Sequence, residues 1–155
     1  MKRNFEILKT SQQNICTILD GMTLEAINEI PENYSNNLAW NFGHIIVTQQ
    51  LLFYKLSNLT PKIKRTLIDK YKKESKPTEA ISAQELSDLK EMMVSFTILS
   101  EEDYNNGIFK EYAPYMTSYN VELRTIEDAI SFNNVHTGIH FGYMLCLKKA
   151  LSTST

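Results

Sequence analysis

A seam of residues spaced three and four apart runs from Ile126 through Ala129, Asn133, His136, His140, Tyr143 and Leu147 to Ala150, and no other feature constrains the chain as much. That spacing is the α-helical period, so these side chains share one face of a single long helix. The face a helix turns toward its neighbours is normally apolar. Here three successive interior positions, Asn133, His136 and His140, are polar. Leaving each buried without a partner would cost roughly 1–3 kcal/mol, against a whole-domain stability of roughly 5–15 kcal/mol. Something in the folded protein must satisfy them.

The rest of the chain reads as three more long helices and their connections. The first is predicted from about Asn4 to Asp20, with Phe5, Leu8, Gln12, Ile15 and Leu19 as its stripe and Gly21 as its end. Thr23 to Ile30 add a short helix capped by Thr23, and Pro31 opens a polar loop, 32–36. A second long helix is predicted from Ser35 or Asn36 to about Leu59, with Leu38, Phe42, Ile45, Gln49, Leu52 and Leu56 as its main stripe. Trp40, Val47, Leu51 and Tyr54 lie on its other sides, which implies packing on more than one face. Residues 60–81 hold Pro61, Pro77 and a run of lysines, among them Lys62, Lys64, Lys70, Lys72 and Lys73. Acidic residues interleave with these lysines, so the segment reads as a solvated connection with one short helical piece.

The third long helix opens on a capping box, Ser82-x-x-Glu85, continues through Leu86, Leu89, Met93, Phe96 and Leu99, and stops at Asn105-Asn106-Gly107. Residues 108–124 carry Tyr112, Pro114, Tyr115 and Tyr119 without a helical stripe, as in a long crossover with short extended pieces. The last helix begins at Thr125, with Asp128 three residues on, and runs to about Leu151; Lys148 and Lys149 suit the dipole of its final turn. A short Ser/Thr tail, Ser152 to Thr155, follows. The expected architecture is all-α: a four-helix bundle with long crossover connections in one domain, residues 1–155.

Composition removes several function classes. A net charge of -2 gives no electrostatic reason to expect nucleic acid or an anionic membrane as partner. The opening Met1-Lys2-Arg3-Asn4-Phe5-Glu6 lacks the apolar core of a secretory signal. No apolar run approaches the roughly 20 residues needed to span a bilayer. Cys16 and Cys146 are far apart in apolar helical stretches, which points to free thiols and a reducing, cytoplasmic setting.

The chain holds three histidines, and all of them fall in helices predicted to be buried. His136 and His140 are one turn apart on the same face, and His44 lies in Trp40-Asn41-Phe42-Gly43-His44 of the second helix. A lone interior histidine is usually satisfied by a carbonyl, hydroxyl or water. A stacked pair with a third on another core helix is better explained by a divalent cation, held with an open coordination position. Asn41 and Asn133 each lie one turn before a histidine and are candidates to orient a ring or contact a substrate, or to bond helix to helix. Tyr143 is a candidate to present its hydroxyl at the open position, and Gln12 to line the same cavity. Gly138 and Gly142 would allow another backbone to approach the last helix closely. Trp40, Phe42 and Phe132 are expected to be core or cavity wall.

The pieces Asn37-Leu38-Ala39-Trp40-Asn41-Phe42-Gly43-His44-Ile45 and His136-Thr137-Gly138-Ile139-His140-Phe141-Gly142, in this order, resemble the DinB-like (DinB/YfiT-type) family of metal-dependent enzymes. The capped helix at Ser82 and the tyrosine-containing crossover also fall where that family has them. The resemblance implies a bundle in which the three histidines hold one metal ion, often nickel or zinc, and in which chains often pair as homodimers. It also implies thiol-dependent chemistry on a small molecule: transfer of a low-molecular-weight thiol to an electrophile, or a related isomerisation. Relatives commonly carry Arg and Gln around the glycine after the last histidine, where this chain has Phe141 and Tyr143. A more apolar pocket is therefore expected.

The leading expectation is a metal-dependent transferase or hydrolase, because a bound cation favours hydroxide or thiolate near neutral pH without a dedicated base. The alternative is a non-catalytic, metal-stabilised bundle acting as a stress-response or interaction protein. A metal-free bundle with hydrogen-bonded histidines is the third possibility.

Overall fold

A computed structural model describes residues 1–152 of the chain; residues 153–155 of the Ser/Thr tail lie outside the described residues. The first helix, α1 (Lys2–Asp20), buries Phe5, Leu8, Gln12, Ile15, Ile18 and Leu19, the expected stripe plus one neighbour. Gly21 closes it at φ -89°, a conformation open to any residue. α2 (Leu24–Asn28) is one short turn whose first amides are capped by the Thr23 side chain, which accepts from Ala26 N.

α3 (Leu38–Gln50) starts two to three residues later than its pattern suggested, because Asn37 caps it by accepting from Trp40 N at 2.8 Å. Every residue of α3 except Thr48 is buried, as expected of a helix packed on several sides. It runs without a break into a π-helical segment, Leu51–Lys55, so the regular helix does not reach Leu59. Hydropathy cannot register that change, since Leu51, Leu52, Phe53 and Tyr54 suit either winding. α4 (Arg65–Tyr71) is the short helical piece of the lysine-rich connection.

α5 (Ala83–Asn105) begins with half of its expected capping box: Ser82 Oγ accepts from Glu85 N at 3.1 Å. The Glu85 carboxylate accepts from Lys70 Nζ and Tyr71 Oη, both on α4, and thereby ties α4 to the bundle. The buried face of α5 is Leu89, Met93, Thr97 and Ser100, whereas Phe96 and Leu99 are only half-buried. Gly107, at φ 63°, takes the left-handed backbone that ends this helix. The crossover contains the expected extended pieces, β1 (Tyr115–Met116) and β2 (Glu122–Leu123), paired antiparallel.

α6 (Ile126–Ser152) carries the polar seam, and its start is a complete capping box. Thr125 Oγ1 accepts from Asp128 N, and Asp128 Oδ2 accepts from Thr125 N. The long helices close a ring in which α1 and α3 each pack on both α5 and α6. Neighbours in sequence, α1 and α3 or α5 and α6, therefore lie across the bundle from one another, which explains the long connections. No helix among the described residues is long and apolar enough to cross a membrane.

Two apolar clusters form the core. One gathers Phe5, Leu52, Phe53, Tyr54, Leu123 and the first turns of α6; the other gathers Ile15, Leu19, much of α3, Leu89, Met93, Met144 and Leu147. Between them, along α6, lie Asn133, His136 and His140, and α1 and α3 carry Gln12 and Gln49 at the same break. Gln12 Nε2 donates to Gln49 Oε1 at 3.0 Å, Gln49 Nε2 to Thr97 Oγ1 at 3.1 Å, and Thr97 Oγ1 to Gln12 Oε1 at 2.7 Å. That closed triangle ties three helices together in the interior.

Candidate metal centre

Packing of α3 on α6 brings the three histidine rings to centroid separations of 5.2 Å (His44–His136), 4.8 Å (His44–His140) and 4.5 Å (His136–His140). One nitrogen from each ring lies within 4.8 Å of the other two. The imidazoles from two distant segments thus converge, as the seam required.

The outer nitrogens fix two of the tautomers. His44 Nδ1 donates to the Tyr71 carbonyl at 2.7 Å, which leaves its Nε2 unprotonated, with a lone pair that can accept. Asn41 Nδ2 already donates to Asn37 O and Asn36 Oδ1, so Asn41 Oδ1 is the atom facing His140. His140 Nδ1 therefore donates to it at 2.8 Å, and its Nε2 is unprotonated too. Trp40 stacks on His44 at 4.7 Å and 12°, holding the plane of that ring. His136 Nε2 lies 3.3 Å from His44 Nε2, and its Nδ1 has no partner among the described residues.

Burial pushes all three imidazoles toward the neutral form. Desolvation is the largest cause in each case: His44 is lowered, His136 is pushed down to about 2 with help from its two neighbours, and His140 to about 4 with help from His44. Neutral imidazole is the metal-binding form.

One pair of the three donors already stands at cation spacing, and all three lie within 4.8 Å of one another. A tetrahedral ion holding imidazole nitrogens at about 2.0–2.1 Å needs them about 3.3–3.4 Å apart, and the His44 and His136 Nε2 atoms are separated by 3.3 Å. The three-histidine group can hold a metal ion. A cavity of about 360 Å³ opens over the three rings, a size typical of small-molecule sites. Leu51, Leu52, Leu56 and Phe132 form its apolar wall, Thr48 and Tyr115 add hydroxyls, and no carboxylate lines it.

Not every candidate joins the site. Asn41 does orient a ring, although it serves His140 on α6 and not His44 on its own helix. Asn133 is fully buried, has no hydrogen-bond partner among the described residues, and does not line the cavity. Tyr143 packs edge-on against Tyr34 at 5.8 Å and is not among the residues that line the cavity, so its placement does not support a hydroxyl at that position. Gln12 belongs to the buried triangle with Gln49 and Thr97, not to the cavity. Gly138 and Gly142 have nothing within 4 Å of where a Cβ would stand, which corrects the expected close approach. Phe42 is core and Phe132 is wall, while Phe141 packs against the larger apolar cluster.

Three contributors escaped sequence reasoning. Thr48 Oγ1 lies 3.3 Å from His44 Nε2 at the cavity edge, and its i+4 spacing from His44 was the available signal. Tyr71 supplies a carbonyl from the lysine-rich connection, whose prolines, charges and short helical piece carry no sign of it. Gly43 is the real close approach, because a Cβ there would stand 2.5 Å from Tyr71 Cδ1.

With this geometry in place, the sequence profile of the DinB superfamily matches residues 7–144, which include all three histidines and every long connection. The chain belongs to the DinB superfamily. A search of curated proteins finds no match to it. Membership and the histidine cluster together fit a metal-binding, enzyme-like protein.

Proposed function

We propose that this DinB-superfamily chain is a divalent-metal-dependent transferase that joins a low-molecular-weight thiol to an electrophilic small molecule, with a related hydrolysis as the nearest variant. His44, His136 and His140 would hold the ion, nickel or zinc, through the nitrogens that face the cavity. When bound, such an ion supplies Lewis acidity that favours the deprotonated form of a thiol or water near neutral pH.

The observation that carries the reading is the cavity itself: the three imidazoles form its floor and are open to a ligand of small-molecule size. A purely structural metal site is closed by protein ligands on all sides. The chain's other groups prepare this floor. Asn41 and the Tyr71 carbonyl hold two rings by their outer nitrogens, so little reorganisation is needed when the site is used. Leu51, Leu52, Leu56 and Phe132 would give the reacting groups an apolar wall. Since no Asp or Glu lines the cavity, no carboxylate there can serve as general base.

The free cysteines, Cys16 and Cys146, support a reducing, cytoplasmic setting. α6 leaves Val135, Ile139 and Leu145 exposed, and such an apolar strip supports pairing of the chain, acting as a single domain, into a homodimer. The test is turnover: nickel- or zinc-loaded protein, assayed with thiols against electrophilic acceptors, is expected to form thioether products that His136→Ala does not form. Metal-loaded protein that is inert to every thiol and acceptor pair, and to hydrolysable esters and amides, would exclude the enzyme reading in favour of the metal-stabilised bundle.

A further inference from the structure

The cavity has a second feature besides its histidine floor. Two lysines line it, Lys55 and Lys73, and they come from separate elements: the last residue of the π-helical segment and the chain just after α4. Three neighbouring lysines are engaged, and what sets Lys55 and Lys73 apart from Lys64 and Lys76, also unpaired among the described residues, is that they line the cavity. Lys70 pairs with Glu85, Lys72 pairs with Asp69, and Lys62 lies over the Tyr54 ring. Neither Lys55 nor Lys73 has an ion-pair or hydrogen-bond partner for its ammonium group among the described residues. The cavity they share contains no carboxylate to neutralise them.

The placement of Lys55 follows from the chain. His44, Thr48, Leu51 and Lys55 step by four, three and four along one helical face, which leads from the histidine floor over apolar wall to a cation. Leu51 and Lys55 also border an adjoining cleft lined by Ile63, Ile68, Arg65, Lys72 and Asp69, and that one carboxylate is already paired with Arg65 and Lys72.

We infer that the cavity takes a small molecule with a carboxylate-bearing end and an apolar body, the carboxylate lying between Lys55 and Lys73 and the reactive end directed at the three histidines. This deepens the proposed function and rests on that use of the site, but the lysine pair acts on charge alone and is testable without a metal. Both lysines are exposed at the cavity rim, and unpaired cations beside a cavity lined by no carboxylate favour an anion by charge-assisted hydrogen bonding. The carboxylate belongs to the thiol or to its acceptor, and paired probes tell these apart.

Calorimetry and quenching of Trp40, the sole tryptophan, which stacks on His44, would be followed in protein as purified and after chelation. One probe pair is 3-mercaptopropionate against 3-mercaptopropan-1-ol; the other is 4-phenylbutyrate against 4-phenylbutan-1-ol. In at least one pair the carboxylate is expected to bind about tenfold tighter than its alcohol, with or without metal, as a charge-assisted bond would give. The pair that shows the preference identifies the reactant that carries the charge. The preference should fall to within about twofold in Lys55→Met/Lys73→Met, which keeps the aliphatic stems, and should persist in Lys55→Arg and in the remote control Lys64→Met. Equal binding of acid and alcohol in both pairs, or a preference that survives the double substitution, overturns the inference. Loss of metal binding with the charge preference intact would instead remove the metal reading and leave this one standing.

Discussion

The ring of Tyr71 lies flat against the backbone of Gly43, and the carbonyl of that same tyrosine accepts the Nδ1 proton of His44 at 2.7 Å. A glycine in the middle of α3 thus sets the distance at which α4 can orient the metal-site ring on the next residue. A Cβ at position 43 would stand 2.5 Å from Tyr71 Cδ1, closer than real contacts allow. Helix propensity alone favours alanine over glycine by about 1 kcal/mol. The contact dominates here, because a ring held between helices cannot give way cheaply.

Gly43→Ala should therefore destabilise the fold by about 1–3 kcal/mol, as overpacking does, and weaken metal binding about tenfold by loosening His44. Gly138→Ala, where an added methyl meets nothing within 4 Å, should stabilise by up to about 1 kcal/mol. Urea denaturation of the two variants checks the opposite signs, and equal signs would contradict the packing account.

The Asn41 side chain holds His140 by its oxygen and the Asn36–Asn37 turn by its nitrogen. Asn41→Ala should lower metal affinity about 10–100-fold, measured by competition with a chelator of known strength. Unchanged affinity would show that His140 needs no orienting partner.

The triangle of Gln12, Gln49 and Thr97 gives a control in which stability and site separate. Gln49→Leu leaves Gln12 and Thr97 without one of their buried partners and should cost about 1–3 kcal/mol. Metal affinity should stay within about twofold, because none of these groups touches a histidine. Denaturation and chelator competition on the same variant decide both halves.

Alkaline pH should weaken the fold through buried phenols. Burial is the main cause that raises Tyr54 and Tyr112 above the usual 10.0, so in this range folding holds their protons. The raised folded-state value fixes the sign: this contribution is complete below about pH 10 and is lost as pH rises from there through the folded-state value. Stability measured from pH 8 to 11 should fall, and Tyr54→Phe should flatten part of the decline. An equal slope in that variant would assign the loss to other groups.

Much of this was legible in the sequence because it followed from period and caps. The stripe of α1, the caps Thr23, Ser82 and Thr125, and the convergence of His44 with His136 and His140 all depend on which side chains share a helical face. What escaped depends on contacts between segments remote in sequence. Nothing local marks Glu85 as the partner of Lys70 and Tyr71, or marks the Tyr71 carbonyl as the partner of His44. The glycines show the limit well: Gly138 and Gly142 beside the histidines looked like the close approach, but only the neighbouring helix decides which glycine is crowded, and it crowds Gly43. The π-helical segment was hidden because its apolar residues suit both windings. Lys73 reads in the sequence as one of a solvated run and Lys55 carries no signal at all; only the fold brings the two exposed side chains to the rim of one cavity.

The most direct test of the central claim is the metal content of protein purified without an affinity tag and reloaded after chelation. The account predicts one nickel or zinc ion per chain, with X-ray absorption showing three imidazole nitrogens, and no tight binding once His44, His136 and His140 are all replaced by alanine. Protein that takes up no divalent ion, or that binds one equally well without those three rings, would contradict it.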